Sequence, residues 1–189
     1  MKRWALLVAV LLAACASSPK SQFYTLSASE SAAAPGAPAY IVAVGPVTIP
    51  ESVDRPQFVL RVSTHEVEIA EQARWAEPLK SAIPRVIAAD LAYALGDARV
   101  SVYGRGAAEE ADIRVLVQIE RFDSLPGDAA VIEAAWTVRP AKGPAWSGRS
   151  VLREAVPGKD YESLAGAHSR ALAALSGDIL RIIRALRAR

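Results

Sequence analysis

The sequence is poor in the residues that bind metals or form disulfides. It contains one cysteine, Cys15, and two histidines, His65 and His168, among 189 residues. A disulfide within the chain needs a second cysteine, and a structural zinc site needs more thiolate and imidazole ligands than these. We therefore expect neither an internal disulfide nor a metal or other cofactor.

Net charge is also nearly absent. The chain has 22 Lys and Arg residues against 20 Asp and Glu residues, for a formal charge of +2. Two of the basic residues, Lys2 and Arg3, stand at the extreme N terminus, so the remainder is close to neutral. A nucleic-acid-binding domain is expected to present a strongly basic face. This balance therefore excludes nucleic acid as the expected partner.

Recognisable catalytic motifs are missing as well. No G-x-S-x-G segment marks an activated serine. The loop glycines at 104–106 and at Gly143 do not join a strand to a helix, as a phosphate-binding loop requires. His168 lies on the apolar stripe of the last expected helix, and we interpret it as a core or interface residue. His65 falls in an expected turn, where it is solvated. We predict that the protein is not an enzyme.

One long apolar run is present, and it lies at the N terminus. Lys2 and Arg3 precede the run from Trp4 to Ala14, which at about 11 residues is shorter than the roughly 20 that span a bilayer. Such a run is typical of a secretory signal peptide. It ends in Leu12-Ala13-Ala14-Cys15, which resembles the lipobox of bacterial lipoproteins, where the cysteine thiol receives a diacylglyceryl group. The alternative is an ordinary signal peptide with an unmodified cysteine. We predict a signal peptide over residues 1–14 and lipidation at Cys15.

The segment after the cysteine reads as a tether. Ala16 stands where inner-membrane lipoproteins of enteric bacteria typically carry Asp, which favours an anchor in the outer membrane, facing the periplasm. Residues 15–39 are rich in Ala, Ser, Pro and Gly, and such a segment buries too little apolar surface to fold alone. The segment Phe23-Tyr24-Thr25-Leu26 interrupts it. Either this segment is a short strand docked on the edge of the domain, or it forms a contact between copies of the protein.

Residues 40–189 are expected to form a single folded domain. Alternating or continuous apolar segments predict strands, and 3.6-residue spacing predicts a helix ending at Gly96 and a C-terminal helix capped by Asp160. Pro84 leaves two alternatives for the first helix, which either bends there or begins its regular part there. The fold class is α+β: a mixed, largely antiparallel sheet with two main helices packed on it. The expected strands are Tyr40–Val44, Phe58–Val62, Val67–Ile69, Arg99–Tyr103, Ile113–Glu120, Ala129–Arg139 and Trp146–Ala155.

Four motifs in register resemble one known family. They are the lipobox, Phe23-Tyr24-Thr25-Leu26, Val44-Gly45-Pro46-Val47-Thr48-Ile49-Pro50 running into Asp54-Arg55-Pro56-Gln57, and Arg74-Trp75-Ala76-Glu77-Pro78-Leu79 followed by Ile83-Pro84-Arg85 and Asp90-Leu91. Together they resemble the ABC-type transport auxiliary lipoproteins, the PqiC-like family. The similarity covers nearly the whole mature chain, although the part from Arg99 onward matches by pattern only.

The resemblance implies a function. Members of this family accompany MCE-domain (mammalian cell entry) systems, which move lipids or other hydrophobic molecules between the inner and outer membranes. The lipoprotein is thought to dock the periplasmic MCE tunnel at the outer membrane, and PqiC-like proteins are associated with ring-shaped homo-oligomers. The alternative is a scaffold lipoprotein of another envelope machine, such as a cell-wall synthase activator or a secretin pilot.

Two segments carry the candidate contacts with a partner or another copy. Asp54-Arg55-Pro56-Gln57 forms a Pro-bounded loop, where a fixed backbone and exposed charge favour recognition; the alternative is an internal turn in which Asp54 binds Arg55 or the backbone. Trp75 is interpreted as a core anchor, with an interface hot spot as the alternative. The full candidate set is Phe23, Tyr24, Leu26, Asp54, Arg55, Arg74 and Trp75.

Overall fold

Eight strands and two long helices make up the described part of this computed structural model, which comprises residues 20–29, 39–96, 98–104 and 110–188. The predicted signal peptide and Cys15 lie outside the described residues. A 3₁₀ turn, Glu51–Val53, follows the second strand. In chain order the elements are β1 (Gln22–Tyr24), β2 (Tyr40–Thr48), β3 (Gln57–Arg61), β4 (Val67–Trp75), α1 (Leu79–Leu95), β5 (Ala98–Val102), β6 (Ile113–Leu125), β7 (Ala129–Pro140), β8 (Trp146–Ala155) and α2 (Tyr161–Arg187).

The sheet is organised around β6. One edge of β6 pairs antiparallel with β7, which pairs antiparallel with β8. The other edge is shared by two strands parallel to β6: β2 lies along its first half, and β3 meets it near its end, at Leu60 opposite Ser124. Outside these, β5 pairs with β2, and β4 and β1 follow β3. Most residue pairs belong to the antiparallel ladders, so the predicted mixed, largely antiparallel sheet is confirmed.

The two helices cover one face of this sheet. Alternate residues of β7, such as Ile132 and Ala134, are fully buried beneath them. The Asp160 side chain accepts a hydrogen bond from the Ser163 amide at 2.7 Å and so caps α2 as predicted. The α2 stripe is buried at Leu164, Leu172, Leu175, Ile179 and Ile183. Helix α1 packs against α2 and covers β2 and β5.

Several local expectations differ from the structure. Strand β4 continues to Trp75 and β6 to Leu125, beyond the expected ends at Ile69 and Glu120, because pairing with β3 and β7 extends both strands. The pair Gly45-Pro46 does not end the first domain strand, because β2 continues to Thr48 with a register shift against β6 between Val44 and Val47. Gly45 adopts φ +126°, and a Cβ there would lie 3.1 Å from the Cβ of Tyr103, so the position favours glycine. In α1 the helix begins at Leu79 and contains Pro84, so the alternative with a start near Pro84 is wrong.

The tether island is part of the folded unit. Strand β1 pairs parallel with β4, with Phe23 opposite Arg74, and the amide of Ala76 donates to the carbonyl of Tyr24 at 2.8 Å. Leu26, two residues later, is only 1% exposed and belongs to the main core. This is the docked edge strand of the first interpretation. We call residues 22–29 the N-terminal strap; it extends the folded unit beyond the expected start at residue 40.

Candidate partner-binding site

Sequence reasoning placed the Pro-bounded loop and Trp75 in separate motifs, and the fold brings them together. The backbone around the loop is held by hydrogen bonds: the Trp75 amide donates to the Pro56 carbonyl at 2.7 Å, and the Arg55 amide donates to the Val53 carbonyl at 2.9 Å. Between the loop and the start of α1 lies an open hollow of about 390 Å³, which we call the contact hollow. Its lining residues are Asp54, Arg55, Pro56, Trp75, Ala76, Glu77 and Pro78.

Among the described charged residues that line the contact hollow, Asp54 and Glu77 form ion pairs and Arg55 does not. Asp54 pairs with Lys80 of α1, not with Arg55, so the internal Asp54–Arg55 turn considered from the sequence is not formed. Glu77 pairs with Arg85. Arg55 is exposed, and within the described ranges its guanidinium has neither a hydrogen bond nor an ion pair. An apolar wall beside a single unpaired guanidinium can bind an apolar side chain next to a carboxylate.

Trp75 itself supports the core. It is 6% exposed, and its ring stacks on that of Phe58 with centroids 4.0 Å apart and an angle of 21°. Phe58 in turn meets the edges of Tyr24 and Tyr161. Trp75 is therefore a core anchor, with only a small part of its surface facing the hollow. A partner reaches the rim of this tryptophan but not its faces.

Strand alternation divides the remaining candidates between the two faces of the sheet. Phe23 is 64% exposed and lies opposite Arg74, which is half-buried and donates from Nε to the Glu71 carbonyl at 3.2 Å. Tyr24 turns inward onto Phe58, and Leu26, which follows β1, is buried in the main core. Phe23 and Arg74 are thus accessible to a partner, whereas Tyr24 and Leu26 hold the strap in place.

A buried carboxylate, which sequence reasoning missed, holds the end of the strap. Asp90 of α1 is 7% exposed and accepts hydrogen bonds from the Ser29 amide at 2.7 Å and from the Ser176 hydroxyl of α2 at 3.2 Å. Burial raises the pKa of Asp90, and the two hydrogen bonds oppose that rise. Its position, on the apolar stripe one turn after Ile87, was the available signal. Asp90 thus connects the strap to both helices.

The sheet face opposite the helices carries a chain of ion pairs, which also escaped the sequence reading. Asp123 binds Arg61 at 3.2 Å and Arg121 at 2.6 Å; Glu133 then links Arg121 at 3.2 Å to Arg149 at 2.7 Å. Burial acts to raise the pKa of Asp123, but hydrogen bonds from Arg61 and Arg121 outweigh it and lower the pKa below its usual value. Opposite charges alternate along this chain, so it presents no basic patch.

His168 forms a contact that resembles half of a catalytic pair. Its Nε2 lies 2.8 Å from the Ser124 hydroxyl, while among the described residues Nδ1 has no hydrogen-bond partner. The ring is fully buried and stacks on Phe122 at 3.9 Å. Burial lowers the pKa of His168 to about 3, with the charge of Asp123 opposing the shift. A buried serine whose base lacks an orienting partner cannot reach a substrate in this state, so the pair is structural.

The described ranges, residues 20–29, 39–96, 98–104 and 110–188, hold no membrane-spanning helix and no metal-binding cluster. None of the helices there combines the length and the apolar character needed to cross a bilayer. The same ranges contain no group of three or more His, Cys, Asp or Glu side chains placed to hold a metal ion.

Comparison with known proteins gives a family and a fold. A family described as ABC-type transport auxiliary lipoprotein component matches residues 24–180. A crystal structure of an uncharacterized protein superposes with a TM-score of 0.72 at 19% identity, covering 87% of this chain and 99% of the other. A Xanthomonas campestris protein superposes with a TM-score of 0.67 at 18% identity, covering 85% and 93%. At such identities the two structures support the fold alone. No curated protein matches the chain in sequence.

Proposed function

Because this chain belongs to the ABC-type transport auxiliary lipoprotein family, we propose that it is a non-catalytic accessory component of a transporter of the MCE type. In this proposal the protein is anchored in the outer membrane, faces the periplasm and docks the end of the periplasmic MCE tunnel. The transporter moves lipids or other hydrophobic molecules between the two membranes. The observation that carries the proposal is the family match over residues 24–180, which includes most of the strap and nearly all of the domain.

Cys15 is the proposed site of attachment to the membrane. Residues 1–14 are removed as a signal peptide, the thiol is acylated, and the chain between Cys15 and the strap connects the lipid to the domain. Two or more acyl chains on one residue give stable membrane attachment. The sequence supports this assignment. Cys15 is the single cysteine, so it cannot form a disulfide within the chain, and it follows small residues at the end of an apolar run.

The contact hollow is the proposed docking site for the MCE protein. A recognition surface gains affinity when its backbone is already fixed, because less conformational entropy is lost on binding. The loop at Arg55 meets this condition through its hydrogen bonds to Val53 and Trp75. We propose that Arg55 binds a carboxylate of the MCE protein while an apolar side chain of that protein lies against Pro56 and the rim of Trp75. Copies of the lipoprotein arranged as a homo-oligomeric ring would repeat this contact around the tunnel.

The test is capture of the periplasmic part of the cognate MCE protein by the purified domain. Arg55→Ala should weaken binding by about tenfold or more, since a charge-assisted hydrogen bond contributes roughly 1.5–3 kcal/mol. Its melting temperature should stay close to wild type, because the side chain is exposed and unpaired. Arg139→Ala, an exposed arginine near the end of β7, is the matched control and should bind normally.

Two results would contradict the proposal at different levels. Normal capture by Arg55→Ala would move the contact away from the hollow and leave the partner unchanged. If the folded wild-type domain binds no MCE protein of its own organism, the result would favour the alternative function, a scaffold lipoprotein of another envelope machine.

A further inference from the structure

Four large hydrophobic side chains are exposed along one edge of the sheet, on β1, β4 and the β3–β4 turn. Phe23 is 64% exposed, Val62 56%, Val67 45% and Ile69 38%. Val62, Val67 and Ile69 lie together on the β3–β4 hairpin, and we call these three the apolar edge; Phe23, opposite Arg74, lies at the other end of β4. Exposed apolar groups that lie together mark a surface that contacts a partner or a membrane.

The strap begins with β1, the outermost strand on this side of the sheet, next to β4. Strand β1 is parallel to β4, with Gln22 opposite Ala73, and the Ser21 hydroxyl lies 3.5 Å from the side-chain oxygen of Gln72. Ser21, just before the strap, therefore leads back along β4, in the direction of the β3–β4 turn. The apolar edge lies along the same path.

The number of residues between Cys15 and the strap limits the distance between the proposed acyl chains and the domain. About seven residues separate Cys15 from Gln22, and extended chain covers at most about 3.3–3.6 Å per residue, so the acylated cysteine lies within roughly 25 Å of the strap. From Ala73 to Val67, at the turn, β4 covers about 20 Å at 3.3 Å per residue. An anchor that continues in the direction of β1 thus reaches the bilayer level with the tip of the β3–β4 hairpin.

We propose that the β3–β4 hairpin of the acylated protein rests in the bilayer surface, with Val62 and Val67 inserted and the apolar edge facing lipid. This inference rests on the proposed anchor at Cys15. The residues between the two valines are Ser63, Thr64, His65 and Glu66, and Glu68 follows them, so the tip carries no basic cluster. Insertion is therefore driven by apolar contact, not by attraction to anionic lipids. Salt should not weaken it, since Glu66 and Glu68 repel anionic lipids and salt only screens that repulsion.

The single cysteine makes the test clean. Once Cys15 is acylated, an introduced cysteine is the only free thiol in the mature chain. Thr64→Cys at the hairpin tip and Ala145→Cys in the β7–β8 turn would each be labelled with nitrobenzoxadiazole on the full acylated protein. The two turns lie at opposite ends of the sheet, because β3 and β6 are parallel and the β7–β8 turn lies beyond Pro140, which pairs with Ile113 at the start of β6.

Both labelled proteins would be placed in phosphatidylethanolamine–phosphatidylglycerol vesicles with or without a spin-labelled lipid that quenches the dye. Emission at position 64 should fall by about twofold, since interfacial segments sit about 5–10 Å into the headgroup boundary. Emission at position 145 should stay unchanged. Adding Val62→Ser and Val67→Ser to the Thr64→Cys protein should remove most of the quenching, and circular dichroism should show an intact fold.

The possible outcomes distinguish a failure of the hairpin contact from a failure of the proposed lipid anchor. Acylated protein whose probe at position 64 is not quenched would overturn the hairpin contact and leave the anchor intact. A blue shift at position 64 without vesicles that grows with protein concentration would mean that a second copy covers the apolar edge, which also overturns the inference. A mature chain that mass spectrometry shows to be unacylated would contradict the anchor and, with it, the inference.

Discussion

Replacing Leu26 with alanine should destabilise the whole domain, although this residue lies in a segment whose composition is that of a tether. The Leu26 side chain is 1% exposed and belongs to the main core. Its carbonyl accepts a hydrogen bond from Arg85 at 3.1 Å. The next residues are held by Ser169, which accepts from the Ser27 amide at 3.1 Å, and by Asp90. The strap is therefore fastened on both sides of the leucine.

The size of the effect follows from the lost packing. Leu→Ala in a core costs about 2–5 kcal/mol, and the cost is lower where neighbours can close the cavity. Because Leu26 lies on a short peripheral segment that can relax, we expect the lower part of that range, about 2–3 kcal/mol. For a domain of this size the urea m-value is about 2 kcal/mol per molar, so the unfolding midpoint should fall by about 1–1.5 M.

The assay is urea unfolding of the chain that lacks residues 1–15, followed by tryptophan fluorescence. Trp75 reports on the aromatic cluster that borders the strap, and far-ultraviolet circular dichroism reports on the helices. Phe23→Ala is the matched control, since it removes a larger side chain three residues away that is 64% exposed; its effect should stay within about 0.5 kcal/mol. A Leu26→Ala midpoint equal to wild type would refute the reasoning, because the strap would then not unfold with the domain.

Two further predictions concern His168 and Cys15. Burial lowers the pKa of His168 to about 3, below the usual 6.5. Below pH 6.5 the unfolded chain therefore binds a proton at this histidine that the folded chain does not bind. The free energy of unfolding should be unaffected above about pH 6.5, about 1.4 kcal/mol lower at pH 5.5, and lower still as the pH approaches 3. In urea unfolding series at several pH values, His168→Gln should remove this part of the slope. Equal slopes in wild type and His168→Gln would show that other groups cause it. Cys15→Ser should accumulate as unprocessed precursor without acyl labelling, because a hydroxyl does not replace the thiol that receives the diacylglyceryl group. Normal processing and membrane retention of that variant would contradict the lipoprotein anchor.

The elements with strong local patterns could be predicted from the sequence. The β3–β4 hairpin, the β6–β8 meander and α2 with its Asp160 cap depend on periodicity and capping within a few residues. Their pairing across β6 could not be predicted, because β2 and β3 share one edge of that strand through contacts between residues far apart in sequence. The continuation of β2 through Gly45-Pro46 escaped prediction for a related reason: the neighbouring strands hold a dipeptide that would otherwise end a strand.

The candidate site, like the fold, could be predicted from the sequence only where its signals are local. Proline spacing marked the loop at Asp54 and Arg55, and aromatic character marked Trp75, but the meeting of these segments depends on the tertiary fold. The pairing of Asp54 with Lys80 could not be read locally, since 26 positions separate them. The link between Ser29, Asp90 and Ser176 spans still longer separations. The position of Asp90 on an apolar stripe indicates that it is buried, but nothing nearby in the sequence indicates that its partners are Ser29 and Ser176.

The strap also determines how mechanical tension enters the domain. In the arrangement proposed above, a pull from an anchor at Cys15 would reach the folded body at Gln22 and, in line with the strap, would act along the axis of β1. Because β1 is aligned with β4 and its hydrogen bonds run across the strands, this tension shears the bonds together instead of peeling them one at a time. Behind them, the buried Leu26 and the amide of Ser29 on Asp90 carry the remaining load into both helices. A force applied through the strap would therefore act on the central packing of the protein.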